Sequence, residues 1–558
     1  MKASGNRKFQ TDLLRGTPAS RGIAFGRISF LKRVSTSPGK RKIRDPEAEC
    51  ERFEKARLHA IAQLASLYEV SFEKLGEQNA VVFQIHQMML DDPDYVSAIT
   101  SMIKKEYVNA EYAVNQVALR FEQQFRAMDN EYMQGRAADV VDISRRVNEI
   151  LIMHAGRIKN KNAKPNISDG PILLATDDLA PSETAQLDPE KVKGIITAAG
   201  STTSHTVIFA RTMGIPAVIC LGNELLDPEM EGRSAILDGG SGMLILDPDS
   251  NTLKEYEERK RTDDAQRAHL EQFRGKITRT RSGKKINLYA NAGSLADLEL
   301  VKAADAEGIG LFRSEYIYLS CSDFPTEDFQ FDIYRKLLKD MQGKRVIIRT
   351  LDIGADKTAE YFMLKPESNP AMGLRAIRLC LNNRLLFKTQ LRALFRASMY
   401  GNLGIMLPMI VSVEEVLESR KIIEEVKNEL SRQGIPFAPR IELGIMVETP
   451  AAALISDELA PLVDFFSIGT NDLTQFTLAA DRQNPDLRKY MVPHHHAVLR
   501  LIEMTIKNAH AAGIWAGVCG EAAADETFLA KLLQLDIDEI SVVPSSVLKL
   551  RAKISTIG

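Results

Sequence analysis

The sequence predicts a multidomain α/β protein, an α/β domain with an inserted helical bundle followed by a (β/α)8 TIM barrel. Three observations carry that prediction. Gly and Pro nearly vanish between about Pro46 and Gly156, where apolar residues recur at helical spacing. The segments on either side of this stretch share a strand-like texture rich in Gly and Pro. From Lys285 onward, about eight short apolar runs alternate with helical patterns.

The first element, LLRGTPASRGIAFGRISFL from Leu13 to Leu31, alternates apolar and small residues and predicts short strands. The bundle follows, with Leu58, Ile61, Leu64, Ala65 and Tyr68 expected on one helix face, and Val81, Ile85, Met88 and Met89 on another. Strand-like runs resume after Pro165 as PILLAT, GIITAA, PAVICLG and SAILDG, and they complete the α/β domain begun before the bundle. A charged stretch with Leu253, Tyr256, Leu270 and Phe273 as its few larger apolar residues reads as a solvated connecting helix. The barrel runs are INLYANA, GIGLFRSE, VIIRTLDIG, GIMLPMI, ELGIMVETP, FFSIGTND, IWAGVCGE and ISVVPSS. Between them, Val416, Leu417, Ile423 and Val426 are expected on one face of a helix from Val413 to Leu430. The expected boundaries are 1–35 with 160–250 for the α/β domain, 36–159 for the bundle, 251–278 for the linker and 279–558 for the barrel. An open doubly wound sheet is the alternative for the last segment, but no GxGxxG or Walker loop favours it.

Composition fits this architecture and narrows the function. The 558 residues are 44% hydrophobic and 26% charged, which excludes a disordered chain and gives room for three or four domains at about 150 residues each. With 72 Lys+Arg against 74 Asp+Glu, a formal net charge of -2 gives no chain-wide attraction to nucleic acid or an anionic membrane. Cys50, Cys220, Cys321, Cys380 and Cys519 form no CxxC pair, so neither a disulfide framework nor a thiolate zinc site is expected. The N-terminal MKASGNRKFQTDLL lacks the apolar core of a signal peptide and no run approaches a membrane span, so a cytoplasmic location without membrane insertion is expected.

Barrel enzymes carry their chemistry at the C-terminal ends of the strands. Arg313 and Glu315 end the second run, Arg349 and Asp352 the third, Glu448 the fifth, Asn471 and Asp472 the sixth, and Cys519 and Glu521 the seventh. Arginines converging with Lys357 and Arg482 supply forked donors for phosphate and carboxylate oxygens. Glu448 and Asp472 offer hard oxygen ligands to a divalent ion such as Mg2+, which takes its remaining ligands from substrate and water. The expected ligand is therefore a small molecule bearing both phosphate and carboxylate. Cys519 is either buried apolar filler or a proton donor to a substrate carbon.

A second centre lies in GSTTSHTVIFAR, where His205 falls in the first turn of an expected helix. Free backbone N–H groups and the helix dipole there would favour a phosphoryl group carried on the imidazole; a plain capping-region histidine is the other reading. His494, His495 and His496 read as an exposed loop before a helix, and Trp515 as barrel core.

GSTTSHTVIFAR, GLFRSEYIYL, IIRTLDIGADK, IMVETPAAA, FFSIGTNDLTQFTLAADR and GVCGEAA, in this order, resemble the Enzyme I family of the phosphoenolpyruvate:sugar phosphotransferase system, over about Leu14 to Leu550. The resemblance implies that His205 takes the phosphoryl group of phosphoenolpyruvate and passes it to a histidine of the phosphocarrier HPr, releasing pyruvate. It implies that Arg313, Arg349, Asn471, Asp472 and Arg482 bind substrate and that Glu448 and Asp472 hold Mg2+. It further implies that Cys519 protonates the enolate, with Thr184, Lys357 and Arg375 in support. A homodimer formed through the barrel is implied as well. Met88, Met89, Asp91 and Asp92 offer apolar surface and negative charge for HPr.

Departures from the family pattern bear on these expectations. Ser201 and Thr202 replace the usual Gly-Arg beside the histidine, Arg21 replaces a Pro, and IGADK stands for IGGDK. LKLRAKISTIG follows the last strand where many relatives continue, so a weakened dimer is expected. A phosphoenolpyruvate-sensing regulatory phosphorelay protein with weak transfer is thus the second functional reading. Because neutral His205 must attack and Cys519 must be protonated, the rate is expected to vary between about pH 5 and 9.

Overall fold

The computed structural model describes residues 13–31, 39–75, 77–127, 131–154, 170–177, 179, 181–184, 187–188, 190–200, 205–295, 297–354, 359–365 and 367–558. The chain divides into two compact units between Gln266 and Arg267. Ser201, Thr202 and Lys357 lie outside the described residues, as do the expected domain limits near 35 and 160.

In the first unit, strands β1 (Leu13–Arg15), β2 (Thr17–Ser20) and β3 (Ile23–Phe30) precede helices α1 (Pro46–Leu75), α2 (Glu77–Asp91), α3 (Pro93–Glu106), α4 (Ala110–Arg126) and α5 (Glu131–His154). The chain then returns as β4 (Ile172–Thr176), which pairs in parallel with β3 from Arg27 opposite Ile172. The strands that flank the bundle are thus neighbours, the geometry of an insertion into a continuous sheet. After α6 (Pro181–Thr184), β5 (Val192–Thr197), α7 (His205–Thr212), β6 (Ala217–Ile219), β7 (Ser234–Asp238) and β8 (Met243–Leu246), the sheet has the order β1-β8-β7-β3-β4-β5-β6-β2. Helix α8 (Ser250–Glu271) follows; Tyr256 is its one buried residue, with the Arg259 guanidinium 4.5 Å from the ring centre.

The bundle core corrects two expected helix faces. In α1 the buried stripe is Phe53, Ala56, Ala60 and Leu64, while Leu58 is exposed, as is Ala65. In α2 it is Val82, Phe83, His86 and Leu90, and Val81, Ile85 and Met89 are only partly buried. Leu64 is buried as expected, with Ile61 and Tyr68 against the core, but apolar residues occur on more than one face of each helix and packing at i, i+3, i+4 otherwise selects neighbouring positions. His86 enters this core because Asp139 and Asp142 of α5 come with it, at 3.1 and 3.7 Å from its ring nitrogens.

In the second unit, strands β9 (Asn287–Ala292), β10 (Ile309–Arg313), β11 (Arg345–Arg349), β12 (Asn402–Leu407), β13 (Glu442–Val447), β14 (Phe465–Ile468), β15 (Trp515–Val518) and β16 (Glu539–Val542) close into a parallel barrel. Their outward residues pack beneath the surrounding helices in one extensive apolar core. Helix Val413–Arg432 begins with a capping box between Ser412 and Glu415 and buries Val416, Ile423 and Val426 as expected. Leu417, expected on the same face, is exposed instead, because a step of one residue rotates it about 100° off the stripe. The barrel interior holds Leu311, Ile347, Met406, Met446, Phe465 and Cys519, with Trp515 stacked on Phe465 at 4.5 Å. His494, His495 and His496 are exposed, and His495 caps the helix His496–Ala511 by accepting from the Ala497 N–H.

Candidate active site

The strand-end residues converge on a cavity of about 300 Å³ at the C-terminal mouth of the barrel. Arg313 and Arg349 come from the ends of β10 and β11, Glu448 directly follows β13, and Asn471 and Asp472 start the helix after β14. Arg482 comes from the loop beyond that helix, and Cys519 directly follows β15. Arg375, at the start of the helix Ala376–Asn382, stands behind this wall and lines an adjoining cleft of about 530 Å³. That cleft shares Arg482 with the first cavity but is walled by Pro370, Met372, Phe476 and Leu487.

Arg349 and Arg375 are held by acids. Arg349, 4% exposed, reaches Glu315 at 2.6 Å and Asp352 at 2.8 Å through Nη2. Arg375 reaches the other Asp352 oxygen at 2.8 Å. Burial alone would lower the pKa of Arg349, but Asp352 and Glu315 overcome it and hold the guanidinium firmly charged. Both forks are therefore fixed in direction before any ligand arrives, the preorganisation that anion recognition needs.

Glu448 accepts a hydrogen bond from the Met409 N–H at 2.7 Å and is otherwise buried beside Asp472 and Asp352. Desolvation, then those two carboxylates, pushes its pKa up to about 8. Asp472 lies 3.5 Å from Arg482, yet its Oδ1 is buried with no hydrogen-bond partner among the described residues. A crowded carboxylate pair with an unsatisfied oxygen fits a divalent cation of the hard, oxygen-seeking kind. The cavity wall carries three arginines (Arg313, Arg349, Arg482) against three acids (Asp352, Glu448, Asp472). Its formal charge is balanced, so a multiply charged anion gains most when a cation neutralises the carboxylates.

Cys519 is buried at the cavity floor, its thiol facing the Ile468 carbonyl at 3.8 Å, and desolvation pushes its pKa up to about 12. The group is a neutral thiol, an acid rather than a ready nucleophile. Asn291, at the end of β9, was not among the expected residues; it donates to the Cys519 carbonyl at 3.1 Å and accepts from Ser541 at 2.5 Å. It is the last but one residue of the run INLYANA, next to the strand end the rule points to.

In the first unit, α7 begins at His205. The next turn is anchored: Thr206 donates to the Leu179 carbonyl at 3.2 Å, Val207 and Ala210 are buried, and Arg211 donates to the Ala19 carbonyl at 2.8 Å. Thr184 is buried in α6, which packs against α7, and Glu183 of α6 pairs with Arg145 of α5 at 3.1 Å. On the bundle, Met88 is exposed and Met89 partly buried, while Asp91 pairs with Arg57 and Asp92 caps α3. Both acids thus have structural duties, and Met88, Asp91 and Asp92 are all exposed.

Comparison with known proteins agrees with this organisation. The family described as PEP-utilising enzyme, PEP-binding domain matches residues 267–558, the N-terminal family of PEP-utilising enzymes residues 15–136, and the mobile-domain family residues 167–242. A phosphoenolpyruvate-protein phosphotransferase of Geobacillus stearothermophilus is 43% identical over 546 residues, 98% of this chain and 93% of its own. Its counterpart from Bacillus subtilis is 42% identical over 98% of this chain and 94% of its own. A solution structure of Enzyme I (nEIt) is 31% identical, with a TM-score of 0.38 over 45% of this chain and 99% of its own.

Proposed function

The chain belongs to the phosphoenolpyruvate-protein phosphotransferase family, and on that premise we propose that His205 takes the phosphoryl group of phosphoenolpyruvate and delivers it to a histidine of HPr, with release of pyruvate. The observation that carries this reading is the convergence of Arg313, Arg349, Arg482, Glu448, Asp472 and Cys519 on one small cavity.

Each group has a task in that reaction. Arg313, Arg349 and Arg482, with the Asn471 amide, bind and orient the phosphate and carboxylate of the substrate. Glu448 and Asp472 would hold Mg2+, whose charge offsets that of the phosphoryl oxygens. Asp352 keeps Arg349 and Arg375 in place, and Lys357 adds a cation to the substrate's surroundings. The imidazole of His205 attacks phosphorus in line, the P–O bond to the enolate breaks, and the Cys519 S–H adds its proton to the enolate carbon to give pyruvate. Thr184 supports the histidine through the contact of α6 with α7. The reaction requires His205 to reach the barrel mouth and then turn to HPr, which we place on the bundle at the exposed Met88 corner. We place the enzyme in the cytoplasm as a barrel-mediated homodimer; no helix among the described residues is long and apolar enough to cross a membrane.

Pyruvate release coupled to HPr phosphorylation, followed across pH, tests the reading. His205 must be neutral to attack, so the rate falls off towards acid pH. Cys519 stays protonated far above its ordinary range because its pKa is raised to about 12, so the rate holds level to about pH 9. A fall centred near pH 8.5, the value of an ordinary thiol, would contradict the buried acid. Tight substrate binding without phosphorylation of HPr would favour a sensor instead.

A further inference from the structure

One buried acid is left without a task by the mechanism above. Glu539 opens β16 and points into the barrel, where branched apolar side chains usually fill the layers. The ladder sets Ser467 of β14 opposite Gly517 of β15, and Gly517 opposite Glu539. Inward positions alternate along each strand, so Cys519 and Ser541 stand one layer above Gly517 and Glu539, about 7 Å higher.

The two neighbouring glycines make room for the carboxyl. A Cβ on Gly517 would collide with one Glu539 oxygen, and a Cβ on Gly310 would lie 2.5 Å from the other and 2.6 Å from the Ser541 hydroxyl. Ser467 lies beside the Cys519 thiol. Among the described residues Glu539 Oε1 has no hydrogen-bond partner, an expensive condition for a buried polar atom with only a packing role. Burial holds Glu539 in its neutral acid form, against the opposing pull of Arg345. Arg345 pairs with Glu442 at 3.1 Å where β11 and β13 begin, at the opposite end of the barrel from the substrate cavity. Tyr289 and Glu307 are further ionisable groups around this end of the barrel, as are Asp464 and Asp538, the latter paired with His510 at 2.8 Å.

We propose that Glu539 is the proton store for Cys519, returning a proton through the Ser467 hydroxyl to the thiolate left after each enolate is protonated. The inference rests on the reading of Cys519 as the acid. The balance is complete. The Cys519 S–H bond breaks as a C–H bond forms on the enolate. The thiolate then takes the Ser467 hydroxyl proton while Ser467 takes the proton of the Glu539 acid. Glu539, briefly a carboxylate facing Arg345, regains a proton from water at the Arg345–Glu442 end. Glu539 and Ser467 are positioning residues, since neither touches substrate.

The test compares first-turnover and steady-state kinetics of the full chain with phosphoenolpyruvate, Mg2+ and HPr. Cys519 starts each first turnover protonated, so Glu539→Gln keeps first-turnover phosphorylation and pyruvate formation within about twofold of the parent. Its steady-state turnover falls about tenfold or more, and Ser467→Ala falls in the same direction. Because a neutral amide replaces a neutral acid, the melting temperature of Glu539→Gln stays within about 2 °C of the parent. Unchanged turnover in both variants overturns the proposal. So does a large loss of stability in Glu539→Gln, which would mark Glu539 as an ionised partner of Arg345. Unchanged turnover in Ser467→Ala likewise overturns it, whatever the stability of Glu539→Gln. Cys519→Ala separates the two readings: a parental rate there would defeat the assignment of Cys519 itself, whereas an impaired Cys519→Ala beside a fully active Glu539→Gln defeats only the relay.

Discussion

Arg349→Ala unfolds the barrel at markedly lower urea concentration and loses turnover with phosphoenolpyruvate by about a thousandfold or more. Both effects have one origin. The guanidinium is 4% exposed and binds Glu315 and Asp352, themselves almost inaccessible to water. Removing it takes a buried positive charge away from both acids, with Arg375 still paired to Asp352. Breaking a buried pair in this way costs about 3–5 kcal/mol, because the remaining acid must be protonated or solvated by local opening. Arg349→Lys restores charge but not the planar fork, so it should recover most of the stability and little of the rate. Equal recovery of both by lysine would contradict a directional role for the fork.

Asp472→Asn gives the second large effect and the opposite sign in stability. Its rate at saturating divalent cation falls about 100- to 1000-fold, and half-saturation needs at least about ten times more cation. The cation-free protein should melt at the same temperature as the parent or higher, because Asp472 is one of the charges that push the Glu448 pKa up to about 8. The sign follows from linkage: a buried acid with a raised pKa loses its contribution to stability as pH rises through that value, and removing a neighbouring charge relieves the loss. Calorimetric melting with and without Mg2+ checks both halves. A cation-free variant that melts well below the parent would show Asp472 to be a structural partner of Arg482 instead.

The barrel was legible because its strands are buried on both faces and read as near-continuous apolar runs, punctuated by the charged residues that end them. That same punctuation located Arg313, Arg349, Glu448, Asp472 and Cys519. The insertion was legible from texture, and the pairing of β3 with β4 gives its geometric form. Helix faces were read less well: Leu58 and Leu417 are apolar yet exposed, and the i, i+3, i+4 stripe alone does not say which of two apolar edges meets a neighbour. Buried polar groups were the hardest to read. His86 needs Asp139 and Asp142 of α5, and Glu539 needs the space left by Gly310 and Gly517, so both depend on partners far away in sequence. Asn291 precedes Ala292, so its strand ends on an apolar residue where the other site strands end on or beside a polar one. Lys357, Ser201 and Thr202 lie outside the described residues.

The central claim is that phosphorus from phosphoenolpyruvate comes to rest on His205, and the direct measurement is a site-mapped label. The full chain is incubated with phosphoenolpyruvate carrying labelled phosphate and Mg2+, digested under alkaline conditions, and the labelled peptide sequenced. The account predicts a single acid-labile label on the peptide containing His205, chased completely by HPr and absent from His205→Ala. Label retained by His205→Ala, or mapped to any other residue of the parent chain, would contradict it.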